Sequence, residues 1–89
     1  MPLLLVAFDL NKPEQEHSNL LDEIMSYSNV RMSESSYAII TDKTPSVVCE
    51  ELKKHIDIND NLYIINLKRP YAGYGLKLVV DWLKKEFRD

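Results

Sequence analysis

Pro2-Leu3-Leu4-Leu5-Val6-Ala7-Phe8-Asp9 is an apolar run that stops at a carboxylate. A short, continuous apolar run reads as a strand covered on both faces, at the centre of a sheet. Asp9 then falls at the strand's exit, where the backbone is rigid and water is near. Two readings meet there. One is a position that holds a metal ion or does chemistry; the other is the ordinary end of a strand, with the carboxylate accepting hydrogen bonds from the turn that follows.

Working outward, Asn11-Lys12-Pro13 reads as a turn, because the residue before proline avoids helical geometry and Asn tolerates tight bends. A helix is expected from about Glu14 or Ser18 to Ser28, with Leu20, Leu21, Ile24 and Met25 as its apolar stripe. Val30-Arg31-Met32, a turn at Ser33-Glu34-Ser35, and Ser36–Thr41 read as a hairpin. Thr44 is the expected N-cap of a second helix with Pro45 in its first position. Val48, Cys49, Leu52 and Ile56 would be buried, and Glu50 and Lys54 would pair on the outside. Asp57–Asn61 is a polar turn and Leu62–Leu67 a further strand, as apolar as the first and expected beside it in the sheet centre. Lys68–Tyr74 reads as a loop. Gly75–Phe87 reads as a last helix, with Leu76, Val79, Val80, Leu83 and Phe87 on one face and Trp82 at its edge.

The order β-α-β-β-α-β-α predicts an α+β domain of the ferredoxin-like split β-α-β kind, βαββαβ, with two helices on one sheet face. The last helix is an addition, expected on a sheet edge, on the open sheet face or against a partner. With 89 residues the chain reads as a single domain, 1–89, with its core in 3–67.

Hydrophobic content of 45% and charged content of 28% fit a globular protein. The single Cys49 excludes an internal disulfide, which fits a cytoplasmic location. The opening run is too short to span a bilayer and lacks the basic start of a signal peptide, so no membrane association is expected. Net charge is −3, which argues against a dedicated non-specific nucleic-acid binder. The charge is polarised. Residues 1–60 hold five Lys/Arg against eleven Asp/Glu, and residues 61–89 hold six against three. The basic third is either a phosphate-binding face or a solvated helix.

The strand ending in Phe8-Asp9-Leu10, the hairpin around Ser35-Ser36-Tyr37, and the passage Leu52…Ile56-Asp57…Asp60-Asn61-Leu62-Tyr63-Ile64 together resemble the small CRISPR-associated adaptation endonucleases and their VapD-type relatives. The resemblance covers roughly residues 3–67. It implies a ferredoxin-like homodimer in which the first-strand aspartate of each protomer meets its twin across a two-fold axis. There the pair would hold Mg²⁺ for phosphodiester hydrolysis of RNA or DNA. Asp9 is the residue the resemblance puts in the catalytic and metal-binding role, and the chemistry is consistent, since Mg²⁺ takes one or two carboxylates and keeps several waters. Family members commonly end in a further strand exchanged across the dimer, where residues 75–87 here read as helix.

Other residues carry a functional and a plain reading side by side. Asn11 orients Asp9 or bends the chain. Ser35 and Ser36 bind phosphate or form the hairpin turn. Lys68 and Arg69, followed by Tyr71 and Tyr74, contact phosphates and stack on bases, or leave the cations wet while the rings pack over the sheet. His17 and His55 form no ligand spacing with each other, and Cys49 falls on an apolar stripe as a small core residue. Beside the nuclease stand two alternatives: a non-enzymatic binding or scaffolding module of the same fold, and a small regulatory domain.

Overall fold

In the computed structural model, which describes residues 2–10 and 18–87, the chain runs β1 (Leu3–Asp9), α1 (Ser18–Met25), β2 (Ser28–Ser33), β3 (Ser36–Ile40), α2 (Pro45–Leu52), a 3-10 turn (Lys53–His55), β4 (Asn61–Leu67) and α3 (Lys77–Glu86). The strands form one four-stranded sheet in the order β2-β3-β1-β4, with every neighbouring pair antiparallel. The result is a small α+β fold. Each helical connection skips a strand: β1 to β2 passes over β3, and β3 to β4 passes over β1. The turn expected at Asn11-Lys12-Pro13, together with His17, lies outside the described residues.

β1 is central, and both of its faces are used. Leu4, Val6 and Phe8 point into a core shared with Leu20 and Ile24 of α1 and with Val48 and Leu52 of α2. Leu3 points the other way, into a second core with Val30, Ala38 and the α3 residues Leu83 and Phe87. This two-sided burial is the physical reason for an unbroken apolar run. α3 therefore packs on the open sheet face, one of the three positions expected for it. Fully burying a Leu or Phe side chain contributes about 1.5–3 kcal/mol, and Leu83 and Phe87, with Val79 and Trp82 partly buried beside them, hold the helix there.

α2 begins as its sequence dictates. Thr44 has extended backbone, its hydroxyl accepts from the Val47 N–H at 3.3 Å, and Pro45 takes the first turn. Its end differs from expectation. The helix tightens into the 3-10 turn, where i and i+3 eclipse, and Glu50 pairs with Lys53 at 3.0 Å. The pair expected with Lys54 gives way to it.

Three further expectations are corrected. β4 is an edge strand beside β1, not a central one. Its Leu62 and Ile64 pack against the helix-side core, while Tyr63 and Ile65 on its other face are 61% and 51% exposed. Its apolar run records one packed face and one open face. α1 buries Leu20 and Ile24 but leaves Leu21 and Met25 largely outside, because a helix resting on a sheet edge covers a narrower stripe. In the last helix, Leu76 is 74% exposed, because the chain becomes helical only at Lys77 and the sheet contact starts at Val79.

Candidate metal and nucleic-acid site

Asp9 is the last residue of the central strand, and its side chain is exposed. Alternation along β1 puts Leu3, Leu5, Ala7 and Asp9 on the face that α3 occupies. α3 lies toward β2 and covers the Leu3 end through Val79, Trp82, Leu83 and Phe87. The Asp9 end is left uncovered. Leu5 and Ala7 on β1 pair with Ile65 and Tyr63 on β4, forming an apolar strip that leads from α3 to the carboxylate. Among the described residues, Asp9 makes no side-chain hydrogen bond or ion pair. The turn-capping role expected for it would involve Asn11 and Lys12, which lie outside the described residues.

The hairpin reaches the same end of the sheet. The Phe8 N–H donates to the Ser35 carbonyl at 3.0 Å, and Ser36 pairs with Ala7. Ser35 and Ser36 are therefore beside the exit of β1. Ser36 Oγ shares a hydrogen bond with Ser33 Oγ at 2.7 Å, and the Ser35 N–H donates to Ser33 Oγ at 3.2 Å. These hydrogen bonds give the serines the turn-forming role. Asn61 pairs with Asp9 across the β1–β4 ladder. Just before it, the Asp57 N–H donates to Asp60 Oδ2 at 2.8 Å and the Asp60 N–H to the Asp57 carbonyl at 3.0 Å, closing the acidic turn.

Lys68, Arg69 and Tyr71 are elsewhere. They follow Leu67, which pairs with Leu3. Asp9 is six residue steps along the strand from Leu3, roughly 20 Å at the usual rise. Within one chain, the start of the cationic loop at Lys68 and the carboxylate thus lie at opposite ends of the sheet. Tyr71 stacks on Phe87 with ring centroids 4.5 Å apart, so this ring packs the loop against α3. The loop, α3 and Met32 of β2 enclose an apolar groove of about 150 Å³. Sequence reasoning missed it because it joins segments about forty residues apart, and its one local signal is the density of Tyr and Gly before α3.

Two other charged clusters are structural. Tyr27, after α1, donates to Glu51 of α2 at 3.0 Å, and Lys43 donates to both, at 3.3 Å to Tyr27 and 2.9 Å to Glu51. The hydrogen bond from Lys43, and then that from Tyr27, holds Glu51 below the usual carboxylate range. Burial, before any other cause, pushes the Tyr27 phenol up. His55 meets Glu23 at 2.7 Å and ties the end of α2 to α1. Cys49 is half-buried.

Among the described residues, no three His, Cys, Asp or Glu side chains cluster to hold a metal, and no helix is long and apolar enough to cross a membrane. Mg²⁺, a hard ion that keeps much of its water, takes one or two protein carboxylates; one chain offers it the single exposed carboxylate of Asp9. Comparison with protein-family models, with curated proteins and with solved structures finds no match to this chain.

Proposed function

We propose that the protein is a homodimeric, Mg²⁺-dependent endonuclease-like protein that acts on RNA or DNA, with Asp9 as the metal ligand and catalytic carboxylate. The observation that carries this reading is the position of Asp9: exposed, unpaired among the described residues and fixed at the exit of the central strand, at the uncovered end of the α3 face. The apolar strip of Leu5, Ala7, Tyr63 and Ile65 beside it gives a second copy a surface to cover. A two-fold axis there would bring a second Asp9 alongside the first. The fold belongs to the same reading. The strand order, taken from the other edge, is 4-1-3-2 with two crossovers, and this supports a ferredoxin-like assignment.

In this reading the Asp9 carboxylates of the two protomers would hold the ion. When bound, Mg²⁺ supplies Lewis acidity and an acidified water. The Ser35 and Ser36 hydroxyls and the hairpin backbone orient the phosphate next to it. Lys68, which follows Leu67 about 20 Å away along the sheet, and Arg69 next to it engage a more distant part of the same nucleic acid.

The test is Mg²⁺-dependent cleavage of RNA and DNA by the wild type and by Asp9→Asn. Loss of cleavage in the variant, with its fold and dimer intact, supports the reading. Equal cleavage by both proteins removes Asp9 from the mechanism. A second reading, a binding module, is favoured by the apolar side chains that face solvent at the start of α3, Leu76 just before it and Leu78 within it, at 74% and 72%. No cleavage by either protein would favour it.

A further inference from the structure

We infer that the groove between the Lys68–Leu76 loop, α3 and β2 is a pocket for one unstacked base of a single-stranded nucleic acid. The inference rests on the nuclease-like reading only for the class of ligand. The groove has about 150 Å³, the size at which an apolar protein cavity accepts one six-membered ring. Its walls suit a planar ring. Met32 of β2 and Val80 and Leu83 of α3 line it together with Tyr71 and Tyr74 of the loop. Tyr71 is held by its stack on Phe87. Tyr74 projects into solvent and is available to close over a base. Stacking of this kind accepts any base, because every base has a π-face.

Charge picks a nucleotide over a neutral ring. Residues 68–87 contain Lys68, Arg69, Lys77, Lys84 and Lys85 against Asp81 and Glu86. Lys77 is engaged with Asp81 at 2.6 Å. Lys84 lies one helical turn beyond Val80, on the same stripe of α3, and is exposed. A base seated against Val80 therefore has an ammonium within a turn of its phosphate. The fit extends to the Asp9 end of the sheet. Met32 immediately precedes Ser33, which pairs with Ser36, which in turn pairs with Ala7. β2 is two strand spacings from β1, about 10 Å across the sheet, so a strand anchored by one base in the groove can pass the hairpin serines on its way to Asp9.

The test is fluorescence anisotropy of a labelled single-stranded octanucleotide with the full chain in EDTA, where metal-dependent cleavage is silent. Tyr74→Ala and Val80→Glu are each expected to weaken binding about tenfold, while Val47→Ala, an exposed change on α2 outside the groove, leaves it unaltered. Methyl NMR during titration with cytidine monophosphate is expected to move Met32, Val80 and Leu83. Oligonucleotide binding that ignores both groove variants overturns the inference. So does duplex binding as tight as single-strand binding, or saturation of the same methyls by an acidic peptide but not by the nucleotide. Absence of cleavage with groove binding intact overturns the nuclease reading alone.

Discussion

Asp9 faces Asn61 across the β1–β4 ladder, and six residues back along the same ladder Leu3 faces Leu67. That register sets the functional geometry of the chain. It places the carboxylate beside the acidic turn and the serine hairpin. It places Lys68, where the cationic loop begins, at the far end, beside Leu3 in the core that anchors α3. Nucleic acid that touches both ends has to run along the sheet.

Asp9→Asn is expected to leave stability within about 0.5 kcal/mol of the wild type, as for an exposed residue without partners. Its effect belongs in assembly. Two carboxylates about 7 Å apart across a dimer repel by roughly 0.6–2.4 kcal/mol between bulk-water and protein-surface dielectrics. Without Mg²⁺ the Asn variant should therefore dimerise about 3- to 60-fold more tightly than the wild type. Mg²⁺ should tighten the wild-type dimer and leave the variant's unchanged. Sedimentation equilibrium with and without EDTA reads both. Wild-type association that is indifferent to Mg²⁺ would separate the dimer from the metal.

Thr44→Ala should cost about 1 kcal/mol, within the 0.5–2 kcal/mol range for N-caps, because the Val47 N–H loses its acceptor. Thr44→Ser keeps the hydroxyl and should recover most of it. Urea midpoints at constant slope would show both effects. An alanine variant as stable as the wild type would mean that Pro45 alone starts the helix.

The parts of this fold written in the sequence are those decided locally. Thr44-Pro45 starts a helix through two adjacent residues, and Leu3–Phe8 announces a strand covered on both faces because every position is apolar. The hairpin around Ser33–Ser36 was likewise visible in its turn residues. The position of Leu62–Leu67 was not. Its composition matches that of β1, yet one strand is central and the other an edge, and the difference lies in the order of pairing. For the same reason the groove of Met32, Val80 and Leu83 left no mark in the sequence. In the candidate site, Asp9 stood out by its abrupt position, and its nearness to Ser35 and Ser36 followed from the expected hairpin. The separation of Asp9 from Lys68 and Arg69 needed the β1–β4 register.

α3 should detach more easily than the rest of the fold. Leu83 and Phe87 share their core with Leu3, Val30 and Ala38 and take no part in the core beneath α1 and α2. Phe87→Ala should cost about 3–5 kcal/mol locally and free Tyr71 from its stack. The expected signs are a red shift of Trp82 emission and faster amide exchange over residues 68–87, with β1 and β3 still protected. Leu52→Ala, in the other core, should instead lower protection throughout. Uniform loss of protection in Phe87→Ala would mean that the two cores unfold as one.

The Tyr27–Lys43–Glu51 cluster should give the protein a plateau of stability at neutral pH. Glu51 is held below its ordinary 4.5, foremost by the hydrogen bond from Lys43. Its contribution is therefore present above that ordinary value and lost as pH falls through the lower folded one. Lys43, raised foremost by its hydrogen bond to Glu51, and Tyr27, raised foremost by burial, contribute below their ordinary 10.5 and 10.0 and lose that contribution as pH rises through their folded values. Glu51→Gln should thus be less stable than the wild type near pH 7, and the difference should shrink in acid as the wild-type carboxylate protonates. Urea melts across the pH range measure the difference directly. A difference that persists undiminished at the acid end would show that Glu51 acts through packing of its side chain against Tyr27 and not through its charge.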